Sequence, residues 1–384
     1  MKKRYNIQYL LALMFILALV GCSNDDFLTT QSDETKVVSF SIDTDMPQVV
    51  SKAATGYRDW TASDPTSFGA FGMYDQNFAK INELFNNKQV TWDAVNEKWT
   101  YSPEKHWAHF IEHNTFDFFG YMPYKEEGVA LTQGEVGHEN EYTLSVPVSL
   151  TKAVLSDEDK ANIPLICHLP VHKDKVGDVI NYEMDQVLTG FNLQFQMGEE
   201  MAELRDFVIK GVKVTGAVNT LPKGGTVSRT YTYNASAGTW SAGNVAWSDI
   251  AKNTEAVDYT VPFVDHGGGA ENDPYDATNE TLRVGYSFKN QTSQWGANFY
   301  TIPSADFTPT ISVKYDVTVY DEDGNFIETR EDITSTIEFS SGYFTDYASG
   351  SVGKVHPIVV QIVPNYIYVL ADADQRASWI IVQD

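Results

Sequence analysis

Cysteine is nearly absent: Cys22 and Cys167 are the only two in 384 residues. A disulfide-stapled scaffold is thereby excluded, and the chain must be held by a hydrophobic core, which a chain this long can build once or, more economically, twice. Positive charge is scarce as well, with 27 Lys and Arg against 52 Asp and Glu and a net charge of −25. Such a surface repels nucleic acid and other polyanions, so no nucleic-acid partner is expected. The longest apolar run, residues 10–20, is too short for a membrane-crossing helix, which needs about 20 residues. No G-x-S-x-G occurs, which removes the nucleophile-elbow hydrolases, and no glycine loop of the phosphate-cradling kind is present. Internal repeats are missing too.

The start of the chain carries a targeting pattern. Lys2, Lys3 and Arg4 precede the apolar run, and Leu19-Val20-Gly21-Cys22 then gives way to polar Ser23-Asn24-Asp25-Asp26. A basic n-region, short h-region and small-residue cleavage site read as a secretory signal. Leu-Val-Gly-Cys matches the bacterial lipobox, so cleavage is expected between Gly21 and Cys22, with Cys22 acylated (palmitate among its chains) as the membrane anchor. Residues 1–21 are thus a lipoprotein signal peptide, and residues 22–35, acidic and rich in Ser and Thr, a flexible tether. Removing 1–21 takes away three cationic residues and no acid, leaving the mature chain more acidic still. Cys167, inside Ile163-Pro164-Leu165-Ile166-Cys167, is expected to be a buried, inert thiol.

Beyond the tether the apolar period is two rather than 3.6. Strands rich in aromatic and β-branched residues are expected at 36–43, 68–74, 98–101, 115–121, 142–148, 186–196, 207–215, 230–234, 281–289, 310–320, 335–339, 357–363 and 378–382. Turn signals separate them, notably Asp321-Glu322-Asp323-Gly324-Asn325. Short helices fit only 103–112 and 199–205. Many short strands with frequent turns predict an all-β chain of sandwiches. "HKDKVGDV" interrupts the pattern near 172–180, placing an N-terminal β-sandwich domain at 36–176 and a C-terminal one at 177–384.

One stretch invites a catalytic reading. "HFIEH", His109 to His113, fits H-x-x-E-H, in which His109 and His113 would hold zinc and Glu112 would activate its water. Against it, Asn114-Thr115 stops any helix at once, "FDFFGYM" continues as a strand, and no third ligand is distinguished among so many acids. Solvated surface histidines are the better reading, with a zinc peptidase as a remote alternative; no catalytic residue, metal or cofactor is assigned. The acidic turn at Asp321 to Asp323 lacks the ligand spacing of a calcium loop. The tryptophans are expected mostly in the core. Trp107, in the expected helical connection, and Trp295, in an expected loop, are left as candidate ligand contacts, since exposed rings can stack on sugars.

"VVSFSIDT", "FGAFGMYDQN" and "VTWDAVNEKWTYSPEKHWAH" leading into "FDFFGYMPY" together resemble the N-terminal domain of the fimbrillin family, the type V pilins and pilin-like lipoproteins of the Bacteroidales. "INYEMDQVLTGFNLQF", "FVIKGVKVTGAV" and "FSSGYFTDY" resemble strands of its second domain, with Asp185 where a histidine is frequent. The resemblance implies two tandem transthyretin-like β-sandwich domains on a surface-exposed outer-membrane lipoprotein or fimbrial subunit. It further implies that a protease removes the first strand and that an extended strand of another subunit fills the vacated groove, a case of β-strand addition. Here that strand is 36–43, with Val38, Phe40 and Ile42 on one face as groove-filling residues and Val37 on the other. Where the family often has Thr-Arg-Ala, this chain reads Ser51-Lys52-Ala53, which leaves three alternatives: cleavage after Arg58, cleavage at Lys52 by a lysine-tolerant protease, or a subunit left whole; an uncut, lipidated subunit suits an anchor and a cut one a shaft or tip. "ASWIIVQD" at the C-terminus is either a donor strand or the last strand of its own sandwich. Expected partners are other fimbrial subunits or copies of itself, the outer membrane through the lipid anchor, and a host or bacterial surface receptor or glycan. A surface glycan-binding lipoprotein is the alternative.

Overall fold

The computed structural model describes residues 36–45, 58–75, 82–113, 115–174, 176–197, 204–265, 275–284, 295–337, 339, 342–344, 352–364 and 377–382. Strands dominate throughout, as the period-two pattern requires, and they form four sheets, numbered here β1 to β25 in chain order.

The first sheet runs β2 (Arg58–Asp59), β1 (Phe40–Asp45), β11 (Ile180–Gln186), β9 (Leu165–Cys167), β6 (Phe116–Met122), β3 (Ser67–Tyr74), β4 (Asn82–Asp93) and β5 (Lys98–Thr100), with β10 (Val171–Lys173) also on β6. The second runs β15 (Thr239–Ala242), β14 (Pro222–Asn234), β8 (Glu141–Ser149) and β7 (Ala130–Gln133), with β16 (Ala246–Lys252) also on β14. They pack face to face. Phe119 of β6 meets Tyr142, Tyr231 and Trp240 of the second sheet at ring distances of 5.9, 5.5 and 5.3 Å, and Trp240 Nε1 donates to the buried Asp117 carboxylate at 2.6 Å.

The third sheet runs β18 (Phe263–Asp265), β21 (Trp295–Thr301), β12 (Thr189–Met197), β24 (Val355–Pro364) and β25 (Ala377–Val382). The fourth runs β19 (Tyr275–Asp276), β20 (Thr281–Val284), β13 (Arg205–Gly216), β22 (Thr310–Tyr320) and β23 (Phe326–Ile337), with β17 (Val257–Val261) also on β13. Their inner faces share a second hydrophobic cluster that includes Phe191, Phe207, Phe299, Tyr315 and Ile358. Each cluster is thus the filling of a sandwich, with alternate residues of facing strands turned inward.

The clusters do not divide at residues 176 and 177. Ile180, Tyr182 and Met184 of β11, and Val227, Tyr231 and Trp240 of the second sheet, all belong to the first cluster. The cause is long-range pairing: β8 lies against β14 over nine positions, from Glu141↔Thr232 to Ser149↔Gly224. No local composition change marks such a connection. The expected strand at 186–196 divides as well, β11 ending at Gln186 and β12 starting at Thr189, while buried Val187 and Leu188 carry the chain from one sheet to the next.

The expected helix at 103–112 is a single 3-10 turn, Trp107–Phe110. Its backbone is committed elsewhere: Trp107 N–H donates to Lys36 O at 3.0 Å and Val38 N–H to Lys105 O at 2.9 Å. Groups bonded to an extended neighbour cannot also close helical turns. The helix expected at 199–205 falls largely outside the described residues, and Arg205 opens β13. Among the described residues no helix is long and apolar enough to cross a membrane.

Candidate functional site

β1 is short, and its sequence explains both of its faces. Alternation turns Val38, Phe40 and Ile42 inward to 0, 6 and 4 % exposure, joined by Thr44, while Ser41, Asp43 and Asp45 face outward. Burying three such side chains stabilises the seated strand by roughly 1.5–3 kcal/mol each. Phe40 fills a pocket of rings: Phe68 at 5.3 Å, Phe85 and Tyr101 at 5.8 Å, and Tyr182 at 6.0 Å. Those rings come from β3, β4, the segment after β5, and β11, so the first sheet curls until its far strands reach the same residue.

The backbone of β1 is paired along both edges. On one edge it runs parallel to β11 in unbroken register, from Phe40↔Ile180 to Asp45↔Asp185. On the other, Val37 bridges His106, and further along Asp43 and Thr44 pair antiparallel with Asp59 and Arg58 of β2. Trp60 N–H donates to Ile42 O at 3.1 Å, and the Trp60 ring packs on Trp92 and Trp99 at 4.4 and 5.1 Å. The Tyr101 hydroxyl donates to Val38 O at 2.9 Å. Burial pushes that hydroxyl up to about 12, so it stays a donor.

The outward face is polar at one end and acidic at the other. Ser41 Oγ donates to Asn181 Oδ1 at 2.7 Å, and Asn181 Nδ2 donates to Asp43 Oδ2 at 2.9 Å. Asp43 is opposite Glu183 and Asp45 opposite Asp185. Burial, then the neighbouring Asp185, raises the Asp45 carboxyl from 3.8 to about 6, with His168 opposing. Asp185 itself is gripped by Arg229 and by His168 Nδ1 at 2.9 Å.

The remaining expected site residues scatter. Gly21, Cys22 and Lys52 lie outside the described residues; Arg58 is in β2, its backbone paired with Thr44. Trp107 is a correction: it is 1 % exposed, wedged edge-on against Phe116 and Phe118 at 5.2 and 6.3 Å, and offers no face to a ligand. A helical connection would leave it at the surface, whereas the backbone bonds of its segment to Lys36 and Val38, just ahead of β1, draw it inward. Trp295 is a second correction, since it opens β21 rather than lying in a loop; half-buried, it stacks on Tyr275 with centroids 4.1 Å apart. His109 and Glu112 are exposed, and His113 bonds through Nδ1 to Asp75 while its ring packs on Tyr74 at 4.3 Å. The 3-10 geometry does not stack His109 above His113 as an α-helical turn would. Among the described residues no group of three or more His, Cys, Asp or Glu is placed to hold a metal ion. Sequence reading missed Thr44, Tyr101, Asp45 and Asp185 as parts of the β1 seat. The alternation of 38, 40 and 42 continues to Thr44, which was the available signal for that residue.

No protein-family profile matches the chain, and no curated protein sequence matches it. Its structure is similar to solved Bacteroides proteins. One is a fimbrial protein from Bacteroides vulgatus, at 14% identity and a TM-score of 0.44, covering 90% of this chain and 98% of that one. Another is a "putative cell adhesion protein" from Bacteroides ovatus, at 12% identity and a TM-score of 0.38, covering 91% and 96%. A third, given the same description, is from Bacteroides uniformis, at 13% identity and a TM-score of 0.36, covering 90% and 97%.

Proposed function

We propose that this chain is a fimbrial subunit or pilin-like adhesin of the fimbrillin type, non-enzymatic, built as two sandwich domains, one around each hydrophobic cluster. It is exported as a lipoprotein acylated at Cys22 and displayed on the outer membrane or in fimbriae, where its partners are other fimbrial subunits or further copies of itself. β1 is the strand to be removed, by cleavage at Lys52 or Arg58. The observation that carries this reading is the seat of β1: a six-residue parallel pairing to β11, with Val38, Phe40 and Ile42 filling pockets that the rest of the sheet builds. A groove lined with backbone donors and acceptors on one edge and rings beneath is what an incoming extended strand needs, the hydrogen bonds giving affinity and the alternate pockets register.

Mass spectrometry of the mature N-terminus from the native host tests it. A start near Ala53 or Asp59 supports strand removal and polymerisation. An intact acylated Cys22 sinks the shaft and tip roles and leaves that of a membrane-bound anchor.

A glycan-binding role is the second reading, now resting on Trp295 alone. Its half-exposed stack on Tyr275 is the observation in its favour. Loss of sugar retention in Trp295→Ala supports that role, and no binding across a broad glycan array removes it.

A further inference from the structure

β1 is attracted through one face and repelled through the other. On the outward face Asp45 lies directly opposite Asp185, and Asp43 lies between Glu183 of β11 and Asp59 of β2. Like charges directly opposite one another on neighbouring strands oppose pairing. The two positions are not equivalent. Asp43, inside the ladder, has the Asn181 amide as a donor. Asp45 is at the last paired position of β1, and the cations near it are engaged by its neighbour: Arg229 of β14 and His168, in the connection after β9, both bond Asp185 Oδ2. Among the described residues paired at this end, the other charged ones are Arg58 and Asp59 of β2, opposite Thr44 and Asp43, and Glu183 of β11.

We propose that Asp45 and Asp185 form a pH-sensitive clasp on β1: ionised at neutral pH, Asp45 loosens the C-terminal half of the strand, and protonated in mild acid it lets the strand seat fully. The sign follows from linkage. A carboxyl near 3.8 when solvated and about 6 when seated carries no seating cost below about pH 4, and the full cost above about pH 7. The repulsion acts at the last paired residue of β1, and Lys52 follows it in the sequence between β1 and β2, so opening would begin at the end of the strand nearest in sequence to the proposed cut. The biological use of the clasp rests on the displaced-strand reading above; the clasp itself can be measured without any cleavage.

Hydrogen–deuterium exchange on the intact mature chain, at constant ionic strength and with intrinsic rates corrected, provides the test. Protection in the peptide covering 36–45 is compared with that covering 310–320 in β22. The expected result is a gain in β1 protection of about fourfold between pH 7.5 and pH 5.5, growing to about tenfold by pH 5.0, relative to β22. Asp45→Asn is expected to show acid-level protection already at pH 7.5 and no further gain. If that variant fails to protect β22, Asp45→Ala takes its place, with the same loss of pH dependence expected. A β1 peptide that tracks β22 at every pH, or a folded variant at position 45 that keeps the wild-type pH dependence, overturns the proposal. An uncut N-terminus in the host would instead count against strand removal and leave the exchange result standing.

Discussion

Phe40 and Tyr182 stack with their ring planes 7° apart and centroids at 6.0 Å, one residue from β1 and the other from its parallel neighbour β11. The two residues are 142 positions apart in sequence, and neither is held by a local turn. Their contact registers the first strand against the sheet, and the Tyr182 hydroxyl is fixed in turn by donating to Phe119 O at 3.1 Å. Phe40→Ala leaves a cavity among four rings and is expected to destabilise the first sandwich by about 3–5 kcal/mol. Ser41→Ala, on the outward face, is expected to stay within about 1 kcal/mol, since it loses one exposed hydrogen bond. Urea denaturation followed by tryptophan fluorescence checks both, because Trp60, Trp92 and Trp99 cluster where β2 meets β4 and β5.

The buried Asp117 carboxylate joins the two sheets of the first sandwich. It accepts from Trp240 Nε1 at 2.6 Å and pairs with His172 Nδ1 at 2.7 Å. The hydrogen bond to Asp117 raises the His172 imidazole above its usual value, against the opposing effect of burial. A raised histidine stabilises the fold below its unfolded pKa of about 6.5 and loses that contribution as pH rises through the folded value. Stability to urea is therefore expected to fall as pH rises above about 6.5 through the raised folded value, and His172→Gln is expected to flatten that slope. Asp117→Ala strands the Trp240 N–H and is expected to cost about 2–4 kcal/mol.

The inward set Val38, Phe40 and Ile42 was legible because strand alternation is a local property, and the all-β class followed from the same period. The seat itself was not. β11 is about 140 residues from β1, and the parallel register is set by pockets that only the curled sheet assembles. Trp107 shows the same limit from the other side. Its segment has a helical apolar spacing, yet hydrogen bonds to Lys36 and Val38 override that propensity, and tertiary pairing routinely does so for short segments. Trp295 falls between the expected strands 281–289 and 310–320, yet Trp295 to Thr301 pairs with β12 and β18, a long-range pairing that no local signal announces.

The two tryptophans singled out for ligand contact should separate cleanly under mutation. Trp107→Ala removes a fully buried ring and is expected to cost about 3–5 kcal/mol. Trp295→Ala removes a half-buried ring whose main partner is Tyr275 and is expected to cost less, about 1–3 kcal/mol. Thermal melts of the two variants in parallel give the ranking; a melting temperature lowered more by Trp295→Ala than by Trp107→Ala contradicts the burial argument.

Cys167 makes the sharpest chemical prediction. Its side chain is fully buried at the end of β9, its Sγ 3.1 Å from the Tyr231 hydroxyl, which itself donates to the Cys167 carbonyl at 2.6 Å. Burial raises the thiol above its ordinary value, an effect that outweighs the hydrogen bonds and the nearby Arg229. The thiolate is the reactive form, so both its scarcity and the lack of access suppress attack on a disulfide reagent. With an aromatic disulfide reagent at pH 8, a chain carrying acylated Cys22, or Ser in its place, is expected to release almost no thiolate while folded and one equivalent in denaturant. The reaction rate in intermediate urea then follows opening of the first core. Phe40→Ala should accelerate it and Trp295→Ala should not, since Cys167 packs in the first hydrophobic cluster and Trp295 against the second.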